Sequence, residues 1–138
     1  AERYAPVCGN VDNPASGSYE WYMTEFIKSA QAKGATPILV TTVIGMKAYS
    51  NGKFVNSYGN YCDACKKLAS KYNIPCIDLN SHYNSVGYNT AKSYHLMGAV
   101  DGSTDGTHFC EKGADIVAGI VAQAVKSKKI AGLSEYVK

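Results

Sequence analysis

Two short apolar runs set the fold class of this chain. Pro37-Ile38-Leu39-Val40-Thr41-Thr42-Val43 and Ile74-Pro75-Cys76-Ile77-Asp78-Leu79 are each about as long as a strand and rich in β-branched residues. Such nearly continuous hydrophobicity predicts strands buried on both faces, which is the signature of parallel pairing. Between them, Tyr61, Ala64, Cys65, Leu68, Ala69 and Tyr72 recur at i, i+3, i+4, i+7, i+8 and i+11. That spacing predicts a helix over residues 58–72. Strand, helix and strand make one βαβ unit, expected to cross over right-handed, and place the chain in the α/β class. A typical sheet has ~5–6 strands, and a parallel pair alone would leave its edges open. The pattern therefore predicts part of a larger sheet.

The flanking segments fit the same class. Residues 1–17 are dense in turn formers, among them Pro6, Gly9, Asn10, Asp12, Asn13 and Pro14, and read as loop. Ser18 is placed to cap a helix whose apolar face is Tyr19, Tyr22, Met23, Phe26, Ile27 and Ala30, with Gly34 as its C′ residue. A loop from Ile44 to about Ser57 follows the first strand and carries the turn signal Asn51-Gly52. Ligands in open α/β sheets bind beyond the carboxyl ends of the strands. Met46, Lys47, Tyr49 and Asn56 are therefore candidate substrate contacts, the alternative being an ordinary surface loop. Asn80 and Ser81 begin a shorter helix that weakens at Gly87, and a second helical stretch runs to about Tyr94. The last helix spans about Glu111 to Lys128, with Ala114, Val117, Ala118, Val121 and Val125 as its stripe.

Composition excludes several functions. Of 138 residues, 46 % are hydrophobic and 18 % charged, the balance of one globular domain rather than a disordered chain. The net charge of +3 is small. Its only dense basic cluster, Lys126, Lys128 and Lys129, lies at a helix end, so no nucleic-acid footprint is present. No apolar run approaches the ~20 residues of a membrane span. The chain starts without Met or a signal peptide, and is read as processed or a fragment. Five cysteines leave at least one unpaired within the chain. Cys62-Asp63-Ala64-Cys65 forms C-x-x-C, but on a helix face rather than after a strand, and structural zinc needs four ligands. Buried thiols acting as small hydrophobes fit better. Eleven tyrosines could stack on sugars, although most fall at helical core spacing.

The chemistry is concentrated in Asp105-Gly106-Thr107-His108. An acid and a histidine three residues apart on a turn can face one point. The acid then holds one ring nitrogen and leaves the other free to take a proton, which is the orienting and basic half of a nucleophilic triad. A turn aspartate capping the next helix beside a surface histidine is the plainer alternative. The surrounding string, D-G-T-H-F-x-x-x-G-A, decides between them. It resembles the last block of the SGNH (GDSL-type) hydrolases, and more closely the rhamnogalacturonan acetylesterase-like branch. The resemblance extends to K-G-A-T-P-I-L-V-T at Lys33–Thr41, N-G-K-F-V at Asn51–Val55 and I-P-C-I-D-L-N at Ile74–Asn80.

That resemblance implies a three-layer, flavodoxin-like α/β fold, of which this chain would supply the last two parallel strands and flanking helices. It implies a secreted, extracellular carbohydrate esterase that removes acetyl groups from plant-wall polysaccharide with no metal or cofactor. Asp105 and His108 would be catalytic. The family's serine lies in a G-D-S block near the N-terminus, and its oxyanion Gly and Asn lie in two later blocks. None of the three is in this sequence. Gly9-Asn10-Val11-Asp12 has the order wrong and reads as a turn. The nucleophile would come from a missing N-terminal segment or a second chain, and residues 1–138 would be the C-terminal portion of one domain. Relatives usually carry Ser or Thr where Cys110 stands, so the cap of the last helix is expected to be weaker by ~1 kcal/mol. Two other functions compete: a non-catalytic carbohydrate-binding module derived from an esterase, and a metal or redox protein built on the C-x-x-C pair.

Overall fold

A computed structural model of the chain describes residues 5–46, 49–51, 53–55, 58–96, 99–100, 103–130 and 132–138. In chain order the elements are α1 (Tyr19–Ala32), β1 (Leu39–Val40), β2 (Tyr49–Ser50), β3 (Lys53–Phe54), α2 (Gly59–Lys71), β4 (Cys76–Ile77), α3 (Leu79–Lys92), β5 (Ala99–Val100), β6 (Ser103–Thr104) and α4 (Glu111–Ser127). A 3₁₀ turn at Ser134–Tyr136 closes the chain. The fold is mixed α/β, with one parallel strand pair and two antiparallel hairpins among the described residues. The chain divides into two compact units, residues 1–42 with 58–78 and residues 43–57 with 79–138.

The first unit is the βαβ unit with α1. β1 and β4 run parallel, Leu39 opposite Cys76 and Val40 opposite Ile77. Leu39 N–H donates to the Pro75 carbonyl (2.9 Å) and Thr41 N–H to that of Ile77 (3.0 Å). Cys65, Leu68 and Ala69 of α2 pack with Leu39 and with Ile27 of α1 to form the core. The strands are shorter than the apolar runs, and burial is one-sided. Leu39 is 7 % exposed and Val40 47 %, which corrects the expectation of cover on both faces.

Helix α1 begins and ends as its sequence predicts. Ser18 Oγ accepts from Trp21 N–H at 3.2 Å. Gly34, at φ +74°, closes it. Its N–H donates to Gln31 and that of Ala35 to Ala30, the paired bonds of a Schellman motif. The buried face differs. Glu20, Thr24 and Ile27 are buried, while Phe26 is exposed. Glu20 goes inside because its carboxylate accepts the N–H groups of Cys8 (2.9 Å) and Gly9 (2.7 Å). Burial alone would raise its pKa, but these backbone donors hold it below the usual carboxylate value. Just beyond, Asn10 Oδ1 accepts from the N–H groups of Asp12 and Asn13, an Asx turn where the sequence predicts a turn.

Cys62 and Cys65 both face inward from α2. A hydrogen bond with Cys76 and burial push the Cys65 thiol up; burial pushes Cys62 up. Thiols shifted this way are poor nucleophiles. Among the described residues no group of three or more His, Cys, Asp or Glu is placed to hold a metal.

In the second unit, β2 and β3 form a hairpin around Asn51, which takes φ +50°. Gly87, at φ 76° and ψ 170°, breaks α3 into two helical pieces. Ile44, Met46, Tyr83, Ala91 and Tyr94 make the core, with Phe109 and Ile116 packed on it. Helix α4 is capped by Cys110, whose Sγ accepts from Gly113 N–H at 3.4 Å. Its buried positions are Gly113, Val117 and Val125, and Ala114 and Ala118 of the predicted stripe are exposed. Gly113 explains this rotation: a Cβ there would overlap the Tyr94 carbonyl. Gly119, on the same helix, faces open space. Gly113→Ala should therefore destabilise the protein by about 2 kcal/mol or more, as overpacking does. Gly119→Ala should stabilise it by up to about 1 kcal/mol, through helix propensity. Urea midpoints of the two variants check this pair of opposite signs.

Candidate active site

The Asp105–His108 turn lies between β6 and α4. Asp105 divides its carboxylate between two tasks. Oδ1 accepts three consecutive backbone N–H groups, from Gly106 (2.6 Å), Thr107 (2.7 Å) and His108 (3.0 Å). Oδ2 lies 2.8 Å from His108 Nδ1. The three carbonyls of the turn are also engaged. Met46 N–H donates to Gly106 (2.9 Å) and Leu96 N–H to His108 (2.9 Å), while His95 Nδ1 lies 3.1 Å from the Thr107 carbonyl. Every peptide group from residue 106 to 108 is thus hydrogen-bonded at both N–H and C=O, which leaves the turn little freedom.

The surroundings complete the clamp. Residues 94–96 lie antiparallel to 108–110, with a bridge between His95 and Phe109 and Cys110 N–H donating to the Tyr94 carbonyl at 3.0 Å. Gly113 lets the start of α4 rest on the same Tyr94 peptide. Helix α4, the 94–96 segment and the turn are therefore one connected construction over the Tyr83–Tyr94 core.

Its electrostatics are one-directional. The amides of Thr107, Gly106 and His108, and then the His108 ring, hold the Asp105 carboxyl well below the usual carboxylate range. Asp105 therefore stays an anion and can only accept. Its side chain is 9 % exposed and that of His108 is 79 %. A carboxylate spent on three amides is too weak a base to take the proton from imidazole, so it orients the ring. Nδ1 faces Asp105, which leaves Nε2 as the ring's other proton site.

Of the predicted substrate contacts, Met46 is 2 % exposed and packs in the core. Its side chain is thus packed inside rather than open to a substrate, against its reading as a candidate substrate contact, and its N–H fastens Gly106. Tyr49 lies in β2 opposite Phe54. Lys47 and Asn56 lie outside the described residues. Sequence reasoning missed His95, Tyr83 and Gly113. The glycine of D-G-T-H-F-x-x-x-G-A was the one available signal, since a glycine early in a helix marks close approach.

His95 is 4 % exposed, and burial lowers its pKa against the opposing pull of the Thr107 carbonyl. A depressed histidine contributes stability that is fully present above its unfolded value, about 6.5, and is lost as pH falls from there through the lower folded-state value. The thermal midpoint should thus drop between about pH 7 and pH 5, and the drop should be smaller in His95→Asn. Amide exchange should show Gly106, Thr107 and His108 still protected across this range, because Asp105 titrates below it. Asp105→Ala should expose those three amides.

No family model matches the chain. Two curated relatives come from Bacillus subtilis (strain 168). One, a probable rhamnogalacturonan acetylesterase YesY, is 34 % identical over 113 residues, covering 79 % of this chain and 51 % of the relative. The other, rhamnogalacturonan acetylesterase RhgT, is 33 % identical over 120 residues, covering 79 % and 52 %. The crystal structure of Bacillus subtilis protein YxiM superposes with a TM-score of 0.64 at 26 % identity, over 86 % of this chain and 33 % of that one. The chain spans about half the length of the curated relatives it matches. With its α/β fold and the Asp105–His108 turn, the chain is similar over 79 % of its length to rhamnogalacturonan acetylesterases, and these likenesses support a partial SGNH esterase-like protein.

Proposed function

We propose that Asp105 and His108 are the acid and base of a serine esterase that removes acetyl groups from plant-wall polysaccharide. The observation that carries this reading is the 2.8 Å Asp105–His108 contact on a turn whose peptides are all hydrogen-bonded, with the ring 79 % exposed. The relatives named as rhamnogalacturonan acetylesterases supply the substrate class. The serine comes from outside residues 1–138, because the G-D-S block is not in this sequence. The oxyanion donors come from outside as well. Lys47, Tyr49 and Asn56 remain candidate contacts to the sugar, and the polymeric substrate fits an extracellular site of action. No described helix is long and apolar enough to cross a membrane.

In this mechanism His108 Nε2 takes the serine proton as the serine oxygen bonds to the acetyl carbonyl carbon. Asp105 stabilises the imidazolium that forms. Backbone or side-chain donors of the missing portion hold the oxyanion. Collapse breaks the bond to the sugar oxygen, and His108 returns its proton to that oxygen. His108 then deprotonates a water that attacks the acetyl-enzyme, and acetate leaves as the serine regains its proton.

Acetate release from an acetylated rhamnogalacturonan, or from an aryl acetate, tests the reading. His108→Ala should lower turnover by at least about a thousand-fold, since base and nucleophile act as a unit. Asp105→Asn should lower it by about a hundred-fold or more, through the wrong tautomer. Residues 1–138 alone should release almost none. Sugar binding without any acetate release from the protein carrying the serine segment would favour the binding-module reading instead.

A further inference from the structure

Two histidines stand at this turn with opposite surroundings. His108 is open to solvent, whereas His95 is 4 % exposed and bonded at both ring nitrogens. Nδ1 of His95 lies 3.1 Å from the Thr107 carbonyl, and Nε2 lies 2.8 Å from the Tyr83 hydroxyl. Their chemistry fixes the proton. A carbonyl only accepts, so Nδ1 must carry the hydrogen; Nε2 then bears a lone pair and accepts from the Tyr83 O–H. Tyr83 is itself fully buried. The rings of Phe109 and Tyr83 flank His95 at 5.0 and 5.6 Å, so the imidazole is held against rotation.

We propose that His95 is a positioning residue for His108: its Nδ1–H, locked by Tyr83, holds the Thr107 carbonyl and thereby sets the peptide from which the His108 ring projects. Among the three carbonyls of the turn, Gly106 and His108 are held by backbone N–H groups. Thr107 is held by a side chain, and is the point where the clamp can be removed by substitution. With that bond gone, the Thr107–His108 peptide is held only through the His108 N–H bond to Asp105 Oδ1 (3.0 Å), and the 2.8 Å contact between Asp105 and His108 depends on its orientation. Misplacement of a catalytic group by about 1 Å can cost on the order of a hundred-fold in rate. Asp105 pulls on the ring directly; His95 acts one bond earlier, on the backbone that carries it.

The kinetic consequence rests on the esterase reading, but the tautomer claim does not, and the experiment separates them. In protein with 15N-labelled histidine, two-bond correlations from the ring C–H protons report which nitrogen is protonated. His95 should be the Nδ1–H tautomer at neutral pH, and neutral His108 should also be Nδ1–H, donating to Asp105. His95→Leu should release His108 to the mixed tautomers of free imidazole. His95→Asn places an amide N–H near the Nδ1 position and should retain the Nδ1–H form of His108. In acetate release, His95→Leu should lower kcat by about a hundred-fold with little change in KM, and His95→Asn should recover most of the loss. If His95→Leu does not fold, His95→Gln keeps the hydrogen bond to Tyr83 without the donor to Thr107, and should show the same loss. An Nε2–H tautomer at His95 would overturn the proposal, as would unchanged His108 tautomer and kcat in His95→Leu or His95→Gln. Absence of acetate release from the unsubstituted protein would instead sink the esterase reading and leave the tautomer result to decide this one.

Discussion

A single carboxylate oxygen gathers three successive backbone amides, and the candidate site depends on that arrangement. Asp105 Oδ1 folds residues 106–108 around itself, and this leaves Oδ2 aimed at His108. The two functions support each other. The amides keep the carboxyl ionised, and the ionised carboxyl keeps the ring in the orientation and tautomer that leave Nε2 as the proton acceptor. An aspartate without the amides would be a stronger base but a looser guide. The side chain is close to buried although its partners are mostly backbone, so the local sequence itself builds the orienting group.

Order in the turn comes from the apolar core beneath it. Tyr83 and Tyr94 pack with Ile44 and Met46, and Met46, Tyr83 and Tyr94 also make polar contacts to the turn or to the segments beside it. Met46 lends its N–H to Gly106 and Tyr94 its carbonyl to Cys110. Tyr83 directs its hydroxyl at His95. Buried polar groups are costly unless satisfied, and here each is satisfied by a group belonging to the turn or to the segment beside it. Loss of core packing would therefore be felt as loss of aim at His108.

What the sequence reveals and what it hides follow physical lines. Period and punctuation revealed the parallel pair around Leu39 and Cys76, the α2 face through Cys65, the Ser18 cap, the Gly34 stop and the Gly87 break. These depend on apolar spacing or on backbone conformations that few residues tolerate. The Asp105–His108 pairing was legible because it is local, three residues apart. Glu20 was hidden because its donors lie twelve and eleven residues away, at Cys8 and Gly9. A carboxylate with such partners is buried against every compositional rule. Met46 reads as a candidate substrate contact because it follows a strand in a loop, and nothing local announces that its side chain is buried and its N–H meets Gly106. His95 was hidden for the same reason: its value lies in Tyr83 and Thr107, each twelve residues away.

The central claim is that His108, oriented by Asp105, activates a serine that these 138 residues do not contain. Covalent labelling of the protein by an aryl phosphonyl fluoride, followed by peptide mapping, tests it most directly. Such reagents modify a serine only where a neighbouring base activates it. The account predicts one labelled serine, outside residues 1–138, with labelling abolished in His108→Ala. A label on a serine within residues 1–138, or equal labelling rates with and without His108, would contradict it.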